Sequence, residues 1–257
     1  MIVLGVNTGT SADAVDCVAC EYVNGKQRLL DAVSLDMPRE LQLQIIEAVE
    51  NTDLTVENAQ ILSHKLTDQY IKVADHLIQK LGQTNHIDVI GLHGQTIHHQ
   101  PHHQYPYTIQ LANAARMADQ LSVDVVHDFR TSDISVGGQG APLIPVYHQY
   151  LAEQAGQSSA LFINLGGIAN ITHYSRQTYL KGWDIGPANS LMDLWAQKHL
   201  GQPYDDHGQW ARSGILIPEL LERWLQDPYF ELALPKSTGR DYFSGAWLEQ
   251  AGALNQY

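Results

Sequence analysis

The sequence predicts an α/β protein of two lobes. Twice along its 257 residues a run of short strands gives way to helices. Both strand runs are broken by tight-turn pairs, Asn24-Gly25 in the first and Gly166-Gly167 in the second. Apolar residues make up 44% and charged residues 17%, a globular balance in a chain long enough for one large core or two smaller ones. We place the first lobe at residues 1–133 and a second, partial one at 134–257, with a cleft between them.

The first lobe opens as a meander. Residues 2–6 are a short apolar strand, the segment from Thr8 to Asp13 is a turn-rich loop, residues 15–23 return as a strand, and 28–35 form the third. Pro38 opens a helix that reaches residue 49. A longer helix covers 56–81, because Leu62, Leu66, Val73, Leu77 and Leu81 keep to one face, with Thr55 as N-cap and Gly82 as stop. Residues 87–92 are a buried strand ending in the loop His93-Gly94-Gln95-Thr96. A strand at 107–111, a helix near 112–120 and a strand at 123–126 complete the unit.

The second unit begins near Gly137-Gly138-Gln139-Gly140, and a helix follows Pro142. Residues 160–165 and 168–174 form a hairpin, and Gly182-Trp183-Asp184 ends another strand. Helices are expected at 190–200, near 215–225 and near 245–254.

The formal net charge of -13 argues against nucleic acid and anionic membrane as partners. It leaves phosphates open, since backbone donors bind them against an unfavourable net field. The N-terminus has no basic and apolar leader, and no run approaches the roughly 20 apolar residues of a membrane span, so a cytoplasmic protein is expected. Cys17 and Cys20 fall on a strand and read as small structural residues in a reducing compartment. The crowded histidines from His98 to His103 read as a solvated loop, lacking metal-ligand spacing.

Five phrases and one histidine carry chemistry. Gly9-Thr10-Ser11-Ala12-Asp13-Ala14-Val15-Asp16 joins two strands. Such a loop turns amides and hydroxyls toward phosphate oxygens, with Asp13 and Asp16 available to Mg²⁺, or is a plain hairpin with Asx turns. Asn164-Leu165-Gly166-Gly167-Ile168-Ala169-Asn170 lets a ligand come close to the backbone at Gly166 and Gly167, or is a hairpin turn. Asp184, before Ile185-Gly186-Pro187, is either a general base at a strand end or a turn aspartate. Lys236-Ser237-Thr238-Gly239-Arg240-Asp241 is similar to a phosphate-binding phrase without the P-loop order. Arg130, in Asp128-Phe129-Arg130, takes a ligand carboxylate or pairs with Asp133. His93, at the end of a buried strand, is placed for a substrate hydrogen bond.

The order of these phrases is more specific than any one of them. Gly-Thr-Ser-x-Asp-x-Val-Asp, His-Gly-Gln-Thr, Asp-Phe-Arg, Gly-Gly-Gln-Gly-Ala-Pro-Leu, Asn-Leu-Gly-Gly-Ile-Ala-Asn, Asp-x-Gly-Pro and Pro-Lys-Ser-Thr-Gly-Arg, in register along the chain, resemble the anhydro-N-acetylmuramic acid kinase family. The resemblance implies a two-lobed actin/hexokinase, or ribonuclease H-like, fold with central mixed sheets flanked by helices. It implies ATP and Mg²⁺, an amino-sugar substrate whose 1,6-anhydro ring is opened by water and phosphorylated on O6, a role in peptidoglycan recycling, and a homodimer. It assigns residues 9–16 to the ATP phosphates and Asp184 to activation of water. Asp13 for the metal, Gly166 and Gly167 for the nucleotide, and His93, Arg130 and Asn170 for the sugar complete the candidate site.

The chain departs from the family phrases at Ala14, Ile185, Ala188 and Asn113, where the family usually has Gly, Thr, Gly and Asp. Family members also run well beyond this length, with a further segment that closes the second lobe and meets the adenosine. These departures support an alternative, a sugar- or nucleotide-binding member of the same fold with impaired turnover.

Overall fold

The computed structural model describes residues 1–9, 11–50, 54–82, 85–177, 179–240 and 242–252. They form two compact units, Met1–Gly140 and Ala141–Tyr257.

In the first unit, β1 (Ile2–Thr8), β2 (Ala14–Val23) and β3 (Lys26–Asp36) form the expected antiparallel meander. Asn24 and Gly25 turn the second hairpin with φ of 51° and 74°, the left-handed pair a two-residue turn requires. Helices α1 (Arg39–Glu50) and α2 (Val56–Leu81) follow, with the Thr55 side chain accepting the Asn58 amide at 3.1 Å. Strand β4 (Val89–Leu92) pairs parallel with β1. Strands β5 (Gln95–Gln100) and β6 (Tyr107–Leu111) form a separate hairpin, and then come α3 (Ala114–Leu121), β7 (Val125–His127) and α4 (Phe129–Ser135). The main sheet has the order β3-β2-β1-β4-β7, with β4 parallel to both β1 and β7. Only β2 runs against the others, which is the ribonuclease H-like arrangement. Leu4, Val6, Ile90 and Leu92 bury their side chains with Leu66, Tyr70, Val73 and Leu77 of α2 in one core.

One local expectation is corrected and one element is added. His98 and His99 lie on β5, in a ladder with β6, and not in a solvated loop. Cross-strand pairing, with the preceding Ile97 buried at a register shift of the ladder, overrides a composition that has no strand alternation. Helix α4 also went unpredicted, because its seven residues are too few to show a helical period.

The second unit starts with α5 (Pro145–Gln154), followed by β8 (Ser159–Leu165), β9 (Ile168–Ser175) and β10 (Tyr179–Pro187) in an antiparallel sheet of order β10-β9-β8. Helices α6 (Asn189–Leu200), α7 (Gln209–Ser213), α8 (Pro218–Leu225) and α9 (Gly245–Gln250) follow, with 3₁₀ turns at Asp206–Gly208 and Pro228–Glu231. Helix α5 covers one face of the sheet. The His148 ring stacks on Phe162 with centroids 4.3 Å apart, and its Nδ1 lies 2.8 Å from Oγ1 of the buried Thr172. Strand β10 does not end at Asp184. It runs on to Pro187 through a bulge between Asp184 and Gly186. Among the described residues no helix is long and apolar enough to cross a membrane.

Candidate active site

Strand pairing places Asp184 opposite Asn170, and Asn170 opposite Asn164, so three polar side chains form a row across β10, β9 and β8. Asp184 is 6% exposed. Its Oδ2 accepts the amide of Thr238 at 3.0 Å, its own amide donates to the Lys236 carbonyl at 2.9 Å, and its carbonyl accepts the Tyr229 hydroxyl at 2.8 Å. Burial, and then the Asp184 charge, raise the Tyr229 pKa, so the phenol stays protonated and remains the donor.

Two residues that adjoin this carboxylate carry a buried oxygen without a hydrogen-bond partner among the described residues, Asn170 Oδ1 and Thr238 Oγ1, and Ser190 Oγ at the start of α6 is a third such atom. Native proteins leave few such atoms, and a pair of them on residues that adjoin one carboxylate suits a site that a ligand or water completes.

Gly166 and Gly167 turn the β8–β9 hairpin, with neither in the left-handed region. Their carbonyls face α6: Gly166 O accepts the Asn189 amide at 3.0 Å, and Gly167 O accepts those of Ala188 and Ser190 at 3.0 and 3.1 Å. The turn therefore satisfies amides at the start of α6 that would otherwise lack partners.

In the first unit, the loop from Gly9 to Asp13 is shaped by its own bonds. Ala12 N donates to Gly9 O at 3.0 Å, Ser11 Oγ donates to Asp13 Oδ1 at 2.7 Å, and Gln42 Nε2 holds the Ser11 carbonyl at 3.1 Å. Thr8 is anchored beneath it, 3.2 Å from the buried Tyr70 hydroxyl. Ala14, Val15 and Asp16 are already in β2, opposite Asp36, Leu35 and Ser34 of β3. Among the described residues of this loop the left-handed one is Ala12, at φ 51°, and alanine at position 14 carries no left-handed cost. Thr10 lies outside the described residues, as does Asp241.

No group of three or more His, Cys, Asp or Glu side chains that could hold a metal occurs among the described residues. Asp13 is exposed and offers one carboxylate, with one oxygen taken by Ser11. That donor set suits Mg²⁺ bound mainly by phosphate oxygens and water rather than by an all-protein cage.

His93 and Arg130 are brought together. Arg130 Nε donates to His93 Nε2 at 2.9 Å, and its other arm donates to the Gly140 carbonyl at 2.6 Å. The Asp133 carboxylate accepts the Gly140 amide at 2.7 Å, so the Gly137-Gly138-Gln139-Gly140 loop is folded over α4. Beside His93, Gln95 is 2% exposed and its Oε1 has no partner among the described residues.

Sequence reasoning passes over Tyr229, and names Thr238 and Gln95 only as members of their phrases, with no role of their own. Tyr229 and Thr238 reach Asp184 from more than forty positions away, and no local pattern reports that. Lys236 opens the phrase that is similar to a phosphate-binding one, yet its Nζ is buried against the carbonyls of Tyr229 and Phe230 at 2.8 and 3.0 Å.

The strand order and the buried carboxylate define a mixed α/β protein of the ribonuclease H-like class. The model of the anhydro-N-acetylmuramic acid kinase family matches residues 1–256, and the chain belongs to that family. An anhydro-N-acetylmuramic acid kinase of Nitrosomonas europaea is 40% identical over 97% of this chain and 69% of its own length. Those of Pasteurella multocida and Haemophilus influenzae are each 37% identical, over 97% and 95% of this chain and 66% and 64% of theirs. The chain thus spans about two thirds of the length of the curated relatives it matches. Likeness to solved structures is slight: an Aquifex aeolicus member of the Ppx/GppA family gives a TM-score of 0.37 at 10% identity, over 77% of this chain and 54% of that one.

Proposed function

We propose that this protein is an ATP-dependent kinase that opens 1,6-anhydro-N-acetylmuramic acid with water and phosphorylates its O6, giving N-acetylmuramic acid 6-phosphate and ADP. The observation that carries the proposal is Asp184, a buried carboxylate fixed at its amide, its carbonyl and one side-chain oxygen.

A carboxylate so held serves as a general base. Asp184 takes a proton from water as the water oxygen bonds to C1 and the C1–O6 bond breaks. Ordinary glycoside hydrolysis needs a second carboxyl group to protonate the leaving oxygen. Here O6 is captured by the γ-phosphoryl group as the bond to ADP breaks, so one carboxylate suffices. Phosphoryl transfer depends mostly on positioning and charge neutralisation. Ser11 and Asp13, in the bonded loop after β1, are the candidates to meet the phosphates, with Mg²⁺ at Asp13 supplying charge neutralisation when bound. Arg130 is the candidate for the lactyl carboxylate, with His93 orienting its guanidinium. Asn170, opposite Asp184, is the candidate for a sugar hydroxyl.

Incubation with ATP, Mg²⁺ and the anhydro sugar is expected to release ADP in step with sugar phosphate. Product no greater than from an Asp184→Asn control would overturn the proposal.

A further inference from the structure

The phrase beginning at Lys236 suggests an ammonium offered to phosphate, but the structure uses it otherwise. Lys236 is 8% exposed. Its Nζ donates to the carbonyls of Tyr229 and Phe230, which belong to the 3₁₀ turn Pro228–Glu231, and lies 4.6 Å from the centroid of the Tyr229 ring. The Tyr229 carbonyl already accepts the Leu232 amide at 3.2 Å, and a buried ammonium must spend its donors, so Lys236 adds a second bond there and one at Phe230. The ring face adds a cation–π contact.

These bonds close a circuit. Lys236 Nζ holds the Tyr229 carbonyl, the Tyr229 hydroxyl holds the Asp184 carbonyl, and the Asp184 amide holds the Lys236 carbonyl. Two residues past Lys236, the Thr238 amide holds Asp184 Oδ2. The support falls where β10 bulges, between Asp184 and Gly186, so the sheet ladder is interrupted beside the carboxylate. We propose that Lys236 is a positioning residue for Asp184, acting through Tyr229 and through its own main chain, and not a phosphate ligand. The inference rests on Asp184 being the base.

Tyr229→Phe removes only the hydroxyl that reaches Asp184, and Lys236→Met removes the ammonium at similar length. Each is expected to lower kcat on the order of 10- to 100-fold, the scale of a small misplacement of a reacting group. KM for ATP and for the sugar should each stay within about twofold of wild type, because neither side chain meets a substrate. The double variant should fall little below the worse single one, since both act through one carboxylate. Amide hydrogen exchange gives a readout independent of turnover. In Tyr229→Phe the amides of Asp184 and Thr238 should exchange faster, while those of β1 and β4 keep their rates.

A raised KM for ATP in Lys236→Met, with Tyr229→Phe turning over like wild type, would overturn the inference and leave Asp184 as base. Wild-type protein without product would instead overturn the kinase proposal. Exchange then decides the positioning alone, and unchanged rates at Asp184 and Thr238 would refute it. Should Lys236→Met fail to fold, Tyr229→Phe still decides by both readouts.

Discussion

The Nε–H of Arg130 donates to Nε2 of His93 across 2.9 Å, and Nδ1 of the same ring lies 2.8 Å from the carbonyl of Gly94. An acceptor at Nε2 requires the proton at Nδ1, so the bond network assigns a neutral imidazole with one tautomer. Burial first, and then the Arg130 charge, push the His93 pKa below its ordinary 6.5, against a smaller opposing effect of the Gly94 carbonyl. The folded state therefore binds the proton less readily than the unfolded chain. Stability on this account is whole above pH 6.5 and falls as pH drops from there toward the lowered folded value. Urea midpoints at pH 7.5 and 5.5 should fall further in wild type than in His93→Gln, which keeps a polar side chain without the titration. Equal falls in the two proteins would show that His93 does not titrate in that window.

Much of the first unit could be read before the structure, because its signals are local. Thr55 and Gly82 bracket α2 as capping chemistry requires, and Asn24-Gly25 turns the β2–β3 hairpin. The site was less legible. Asp184 stands out only by its neighbours in sequence, whereas Tyr229, Lys236 and Thr238 meet it through folding of distant segments. The Gly166-Gly167 turn reads as an approach for ligand, and the structure adds that its carbonyls start α6. Carbonyl direction depends on tertiary placement of the helix, which no spacing of glycines encodes.

Gly182 allows α5 to lie on the sheet. A Cβ there would collide with the ring of Pro145, the first residue of α5. Proline cannot turn aside, so the helix or the strand must shift. Gly182→Ala is expected to destabilise the second unit by about 1–3 kcal/mol, the usual cost of overpacking. Gly5→Ala in β1 is the control, because nothing lies within 4 Å of its added Cβ. It should be neutral or stabilising by up to about 1 kcal/mol. Thermal unfolding of the two variants checks this, and equal Tm values would mean that α5 does not rest on β10 in solution.

Ala14 departs from the family phrase, yet it lies in β2 opposite Asp36, and among the described residues of this segment the left-handed position is Ala12. Replacing Ala14 by glycine restores the expected letter and adds only unfolded-state freedom. Ala14→Gly should cost up to about 1 kcal/mol. Ala12→Gly should be nearly neutral, because relief of about 1 kcal/mol of left-handed strain is offset by loss of a buried methyl and by added chain entropy. Denaturant midpoints check the pair, and a gain of stability at position 14 would show that this residue, too, is held against its preference.

Strand β8 is an edge of its sheet, and the side chains facing away from α5 form an apolar row: Leu161, Ile163 and Leu165 are 59%, 58% and 67% exposed. An apolar edge strand is a template for pairing with another chain. Ile163→Lys places a charge in the middle of the row without touching the α5 face, where Phe162 stacks on His148. Stability should change by no more than about 0.5 kcal/mol, while aggregation on concentrating or warming is delayed. Light scattering alongside a denaturation curve separates the two effects. Phe162→Lys, one position away, should unfold the second unit, because the alternation of the strand carries that side chain beneath α5. If Ile163→Lys leaves scattering unchanged, association runs through another surface, and the exposed row on β8 is not the adhesive edge.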